Sequence, residues 1–80
     1  KFKKEKNELI KNIGAVFAGS DYKGYTEYHK DNPMIKYSHV FEIELKGEKS
    51  WIIVREDITG NAVLYSISDS DKVLTGIKKK

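Results

Sequence analysis

The 80-residue sequence contains no cysteine, so it has no disulfide bond, thiol nucleophile or cysteine-ligated zinc site. It contains one proline, and its composition is typical of a folded domain rather than a disordered chain. No apolar run approaches the roughly 20 residues of a membrane-spanning helix, and no signal peptide is visible. These features favour a small folded domain that has no membrane-spanning helix, no disulfide bond and no thiol chemistry.

Size and charge set further bounds. At 80 residues the chain lies near the lower limit for folding around one core, so we expect a single domain over residues 1–80. The formal net charge of +3 comes mostly from lysines near the two ends. Basic ends can attract nucleic acid or an anionic membrane surface, but lysines that solubilise the termini explain the same pattern.

Residues 37–57 carry the clearest pattern, two alternating apolar runs separated by residues 46–49. This pattern predicts a β-hairpin. The first run alternates between an apolar and a polar face, which is typical of a strand with one side on the core. The second run, which contains Trp51, is apolar on both faces and predicts a central strand. Five of the 14 valine and isoleucine residues of the chain, and its one tryptophan, lie in this hairpin.

The remaining elements follow from periodicity and turn residues. An apolar stripe formed by Leu9, Ile13, Val16 and Phe17 predicts a helix over residues 3–18, ended by Gly19. Further strands are predicted over residues 24–30, 62–67 and 72–77, with turns at 31–33, 59–61 and 68–71. The predicted fold is α+β, with the N-terminal helix packed on a curved four- to five-stranded antiparallel sheet.

The sequence offers no constellation for catalysis. The two histidines, His29 and His39, are predicted on different strands, and His39 on the inward face is expected to be a hydrogen-bonded structural residue. No serine lies in a nucleophile elbow, and no glycine-rich phosphate loop is present. Glu42 and Glu44 share an outer face, where solvated glutamates are the simplest explanation. We therefore expect a non-enzyme without catalytic residues, cofactor or metal.

A cluster of tyrosines is the best candidate for a binding surface. Four tyrosines and several lysines lie within residues 22–37, and the candidate interaction residues are Tyr25, Tyr28 and Trp51. Aromatic anchors of this kind favour a protein partner. The same composition can stack nucleobases, but the lysines are not predicted to share a face with the tyrosines, which disfavours nucleic acid. Tyrosines that cover the sheet edge remain the structural alternative.

Residues 8–14, Glu-Leu-Ile-Lys-Asn-Ile-Gly, and residues 25–37, Tyr-Thr-Glu-Tyr-His-Lys-Asp-Asn-Pro-Met-Ile-Lys-Tyr, resemble small Gram-positive (staphylococcal-type) lipoproteins with a cystatin-like fold. The resemblance implies an extracytoplasmic domain that is membrane-anchored or at the cell surface, tethered through a lipidated cysteine upstream of Lys1. Cystatin protease inhibitors carry a Gln-x-Val-x-Gly loop and a Pro-Trp loop. Here residues 46–49 read Lys-Gly-Glu-Lys and Trp51 follows Ser50, so protease inhibition is not expected.

The leading functional hypothesis is a non-catalytic extracytoplasmic interaction domain of a small lipoprotein, with another protein as its partner. Contact with the membrane is expected only through the lipid anchor outside this chain. The alternative is a small cytoplasmic or phage-encoded protein that binds nucleic acid or an effector. A hydrolase-like protein of the wider cystatin shape is a third reading, for which the chain is short to build a deep pocket. The sequence does not indicate an oligomeric state.

Overall fold

A computed structural model describes residues 1–27 and 32–79, with the side chains of residues 18–21 left out. The elements are helix α1 (Phe2–Asn12) and strands β1 (Ala15–Thr26), β2 (Ile35–Leu45), β3 (Glu48–Asp57) and β4 (Ala62–Ser68), followed by a 3₁₀ helix at Asp71–Leu74. The strands form an antiparallel meander in the order β1-β2-β3-β4. The predicted α+β class, with the N-terminal helix on an antiparallel sheet, is confirmed.

The central hairpin is confirmed, but its connection is shorter than predicted. Leu45 pairs with Glu48, so the turn consists of Lys46 and Gly47 rather than residues 46–49. Both turn residues have positive φ, 53° and 79°, which is the backbone of the two-residue turn that suits the twist of a hairpin. This turn fixes the register of β2 against β3 and so determines which side chains meet at the far end of the hairpin.

The core lies between α1 and one face of the sheet. Ile43, Ile52 and Val54 have no exposed surface, and Ile10 of the helix packs against them. Burial of each such side chain contributes about 1.5–3 kcal/mol. Strand β3 lies between β2 and β4, so the prediction of a central strand is confirmed.

The predicted helix over residues 3–18 is too long. Helix α1 ends at Asn12, and Gly14, at φ 80°, donates its N–H to the carbonyl oxygen of Lys11 at 3.1 Å. A glycine in this left-handed conformation is a common helix stop. Beyond it the chain alternates with period two, since Ala15 is buried while Val16 is 59% exposed. Val16 and Phe17, which were predicted to lie on the helix stripe, therefore belong to β1.

Strand β1 begins earlier than the predicted residues 24–30 and ends at Thr26. It lies at the edge of the sheet, and its pairing with β2 shifts register on both sides of Tyr22. The predicted strand end at 28–30, with Tyr28 and His29, and the first residue of the turn at 31–33 lie outside the described residues. The turn at 59–61 is confirmed, with Gly60 at φ 91°.

The predicted strand over residues 72–77 is wrong. Ser70 caps the 3₁₀ helix by accepting a hydrogen bond from the N–H of Lys72 at 3.3 Å. The chain then reaches the opposite edge of the sheet, where Tyr25 and Lys78 exchange two backbone hydrogen bonds of 2.8 and 2.9 Å. Gly24 makes room for this approach, because a side-chain Cβ there would lie 2.5 Å from the Lys78 carbonyl oxygen.

Candidate functional site

The candidate site lies where three neighbouring strands bring polar side chains among aromatic rings. In the hairpin register, Tyr37 pairs with Glu56 and His39 pairs with Val54. On the other side of β2, Tyr25 of β1 pairs with His39. The imidazole of His39 has five aromatic rings around it, with centroid distances from 4.7 to 6.3 Å. These rings belong to Phe2, Tyr22, Tyr25, Tyr37 and Phe41.

A chain of hydrogen bonds joins Tyr22, His39 and Glu56 across these strands. The Tyr22 hydroxyl lies 3.0 Å from Nδ1 of His39, and Nε2 of the same ring lies 2.8 Å from Oε1 of Glu56. An ionised carboxylate can only accept, so Nε2 of His39 must carry the proton that it donates. When the ring is neutral, Nδ1 is then an acceptor, and the Tyr22 hydroxyl donates to it. The arrangement determines one histidine tautomer.

The pKa of Tyr22 is raised above its ordinary value of 10.0. Burial is the largest cause, because the phenolate loses solvation, and the charges of Tyr25 and Glu56 add to the rise. Tyr22 is therefore a hydrogen-bond donor at neutral pH. A tyrosine nucleophile or base requires the opposite shift, so Tyr22 itself is not activated for either role.

Two cavities adjoin this chain of hydrogen bonds. One, of about 190 Å³, is lined by Tyr22, Tyr25, Tyr37, His39 and Glu56. The other, of about 580 Å³, lies on the side of α1. It shares Tyr22, His39 and Glu56 with the first cavity and is also lined by residues of the helix. There the ammonium group of Lys6, on a largely buried side chain, lies 4.6 Å from the Phe17 ring centroid and 4.8 Å from that of Phe41. A cation thus already rests on aromatic faces within this fold.

The structure separates the residues that the sequence placed in one interaction surface. Tyr25 lies in the site, on the same face of the sheet as His39. Trp51 pairs with Glu42 and so lies on the opposite face, half-buried, with an Nε1 that has no hydrogen-bond partner among the described residues. Tyr28 lies outside the described residues. The prediction that His39 is a hydrogen-bonded inward residue is confirmed.

Sequence reasoning missed Glu56 as a member of the site. A signal was present, because a two-residue turn at Lys46-Gly47 sets the register that places Glu56 opposite Tyr37. The four-residue connection that was predicted instead shifts this pairing. Phe2 and Lys6 had no comparable signal, since their contacts with β2 depend on how the helix crosses the sheet.

A second candidate surface lies at strand β4. It is the outer strand of the sheet, and four of its large apolar side chains are between 40% and 49% exposed, namely Val63, Leu64, Tyr65 and Ile67. The segment Ala62–Ser68 contains no charged residue. At the other edge, β1 is irregular and is capped by the Lys78 bridge. The two edges differ in charge and regularity: β4 lacks the charges and proline that usually protect an edge, and its pairing with β3 shifts register once, at Val63.

Two kinds of feature are absent from the described residues. No helix among them is both long and apolar enough to span a membrane. Within residues 1–27 and 32–79, no three histidine or acidic side chains are grouped so that they could hold a metal ion.

Comparisons with known proteins place the chain in a family. No curated protein matches it, and neither does any solved structure. Residues 1–65 match a family model described as "Large polyvalent protein-associated domain 3". This match supplies no support for the lipoprotein resemblance, and it covers α1, β1, β2, β3 and the first half of β4. The chain belongs to the large polyvalent protein-associated domain 3 family.

Proposed function

We propose that this domain is a non-catalytic interaction module, and that it binds an extended segment of a partner polypeptide along the outer edge of β4, beyond Ala62, whose N–H already donates to Glu5. The observation that carries the proposal is the exposed, uncharged, apolar strand at the edge of the sheet. An edge strand presents unpaired backbone N–H and C=O groups, and an added strand satisfies them.

The side chains of β4 suit this mode of binding. Tyr65 and Ile67 pair with Val54 and Ile52 and so lie on the helix side of the sheet, whereas Leu64 pairs with Arg55 on the other side. An added strand with alternating apolar residues would contact both sets, which gives specificity beyond the backbone hydrogen bonds. The description of the family associates it with large polyvalent proteins, and a partner segment joined to the domain in one such polypeptide would have a high effective concentration. This favours a partner segment over a second copy of the domain.

The test uses matched substitutions on the two edges. Peptides selected for binding to the wild-type domain are titrated against Val63→Lys on β4 and Val16→Lys on β1, with binding mapped by protection of backbone amides. Both valines are exposed, so each lysine should change stability by less than about 0.5 kcal/mol. We expect Val63→Lys to weaken binding by about tenfold or more, because a lysine on an edge opposes strand addition. Val16→Lys should bind as the wild type does.

Protection that maps away from β4, or equal affinities in the two variants, would contradict the proposal. Self-association of the wild-type domain that Val63→Lys abolishes would assign the edge to a second copy instead. The extracytoplasmic location and lipid anchor implied by the lipoprotein resemblance stay a prediction. A precursor with a hydrophobic signal ending in cysteine before Lys1 would support that location, and a methionine directly before Lys1 would contradict it.

A further inference from the structure

We propose that the cavity between Tyr25, Tyr37 and Glu56 binds a small organic cation, an alkylammonium group about the size of trimethylammonium. The site lies at the end of β2 and β3 next to β1, so it does not depend on strand addition at β4. The argument rests on the charge of the cavity, its aromatic walls and its volume.

The charge of the cavity favours a cation. Of the five side chains that line it, Glu56 alone carries a formal charge when His39 is neutral. Both ring nitrogens of His39 are engaged, since one binds Glu56 and the other binds Tyr22. The imidazole therefore has no N–H left to bind an anion in the cavity. The raised pKa of Tyr22, to which the Glu56 charge contributes, is consistent with a negative potential there.

The walls of the cavity are aromatic. The rings of Tyr25 and Tyr37 lie at 90° to each other with centroids 5.4 Å apart, so they form two perpendicular walls. The face of an aromatic ring carries partial negative charge and attracts cations, which is how aromatic cages recognise quaternary ammonium groups. The Tyr37 ring shows this property already, because the ammonium of Lys36 lies 5.4 Å from its centroid.

The volume limits the size of the ligand. A cavity of about 190 Å³ is below the range of about 300–1,000 Å³ that holds drug-sized molecules. An apolar protein cavity of about 150 Å³ holds one benzene molecule, so a single trimethylammonium group fits while a larger body must remain outside. The cationic walls of the adjacent cavity, Lys3 and Lys6, lie on the helix side of His39. We therefore assign the ammonium group to the side of Tyr25 and Tyr37.

The test compares ligands of one shape and different charge. Choline is titrated into the full 80-residue chain and followed by amide and aromatic NMR signals, in parallel with dimethylbutanol, its neutral carbon isostere. We expect saturable shifts around His39 and Tyr37 with choline, and about three- to thirtyfold weaker binding of the isostere. Free trimethyllysine and arginine, titrated in the same way, distinguish a quaternary ammonium source from a guanidinium source.

Variants separate the charge from the rings. Glu56→Gln and Tyr37→Leu should each weaken choline binding by about three- to thirtyfold, whereas Tyr37→Phe, which keeps the ring, should not. Glu42→Gln, on the opposite face, removes the same charge elsewhere and should leave binding unchanged. Equal binding of choline and its isostere, or no saturation with either choline or trimethyllysine, would overturn the proposal. If Tyr37→Leu fails to fold, unchanged binding in Glu56→Gln alone is sufficient to reject it.

Discussion

The substitution Glu56→Gln tests whether the carboxylate determines the hydrogen bonds of His39. The amide keeps the size of the side chain and can still accept a hydrogen bond, but it removes the charge. A hydrogen bond to a charged group contributes about 1.5–3 kcal/mol and a neutral one about 0.5–1.5 kcal/mol. The Glu56 side chain is 21% exposed, and this weakens the charged bond, so we expect a loss of about 1 kcal/mol. In a domain of this size that loss lowers Tm by roughly 4–8 °C.

The matched control is Glu42→Gln. Glu42 is 16% exposed and pairs with Lys23 at 3.1 Å and Lys49 at 3.8 Å, so its neutralisation removes a comparable charge far from His39. An ion pair near the surface contributes about 0.2–1 kcal/mol, and stability alone could therefore change similarly in both variants. The pKa of Tyr22 separates them, because Glu56 is one cause of its rise.

Thermal and urea denaturation measure the stability term, and titration of the phenolate signal measures the pKa of Tyr22. We expect this pKa to fall in Glu56→Gln while burial keeps it above 10.0, and to stay unchanged in Glu42→Gln. The imidazole ¹⁵N shifts of His39 should also show that the proton is no longer restricted to Nε2. If the pKa of Tyr22 is the same in both variants, Glu56 does not act through the arrangement described.

Three further predictions concern stability. In urea denaturation, Gly24→Ala should destabilise the domain more than Gly14→Ala. Both glycines have positive φ, but only at position 24 would a Cβ meet the Lys78 carbonyl oxygen, at 2.5 Å. Equal losses of stability would contradict the close approach. Hydrogen bonds lower the pKa of Asp57, and the bond from the Thr59 side chain is the largest cause. The ionised carboxylate therefore stabilises the fold above pH 3.8, and this stabilisation is lost as pH falls through the lower pKa of the folded state. Asp57→Asn should therefore lose less stability than the wild type on acidification, as monitored by circular dichroism. Burial raises the pKa of Tyr22, so the protonated side chain stabilises the fold fully below pH 10.0. This stabilisation is lost as pH rises through the higher pKa of the folded state. Tyr22→Phe should show a smaller alkaline loss, and a loss equal to that of the wild type would refute it.

Local sequence patterns predicted much of the sheet. They failed where the same apolar residues were compatible with both a helix and a strand. The alternation in β2 and the apolar faces of β3 identified the hairpin, because period two is specific to strands. The run from Leu9 to Phe17 continues a helical stripe by chance, so the predicted helix extends past the true stop at Gly14. Its φ of 80° is a property of the folded backbone, and only Ala15 and Val16 beyond it hinted at a strand.

The candidate site was predictable only in part. Tyr25 and His39 were identified from the sequence, but the hydrogen bonds from Tyr22 through His39 to Glu56 join residues that lie 17 positions apart in each step. Such contacts depend on exact strand register, and the irregular pairing of β1 around Tyr22 has no clear sequence signature. The C-terminal residues were misassigned because a short apolar run does not distinguish a strand from a 3₁₀ turn.

The bridge between Tyr25 and Lys78 has a consequence for how this domain can be excised or transplanted. The family match ends at residue 65, within β4, whereas the hydrogen-bonded structure continues to Lys78 on the opposite edge of the sheet. Val40, on the face of the sheet away from the helix, is only 3% exposed. A fragment that ends at residue 65 would cut β4 in two and would lose Lys78, whose backbone pairs with Tyr25 of β1. The hydrogen-bonded structure is thus longer than the part of the chain that the family model matches, and grafts should retain residues 66–79.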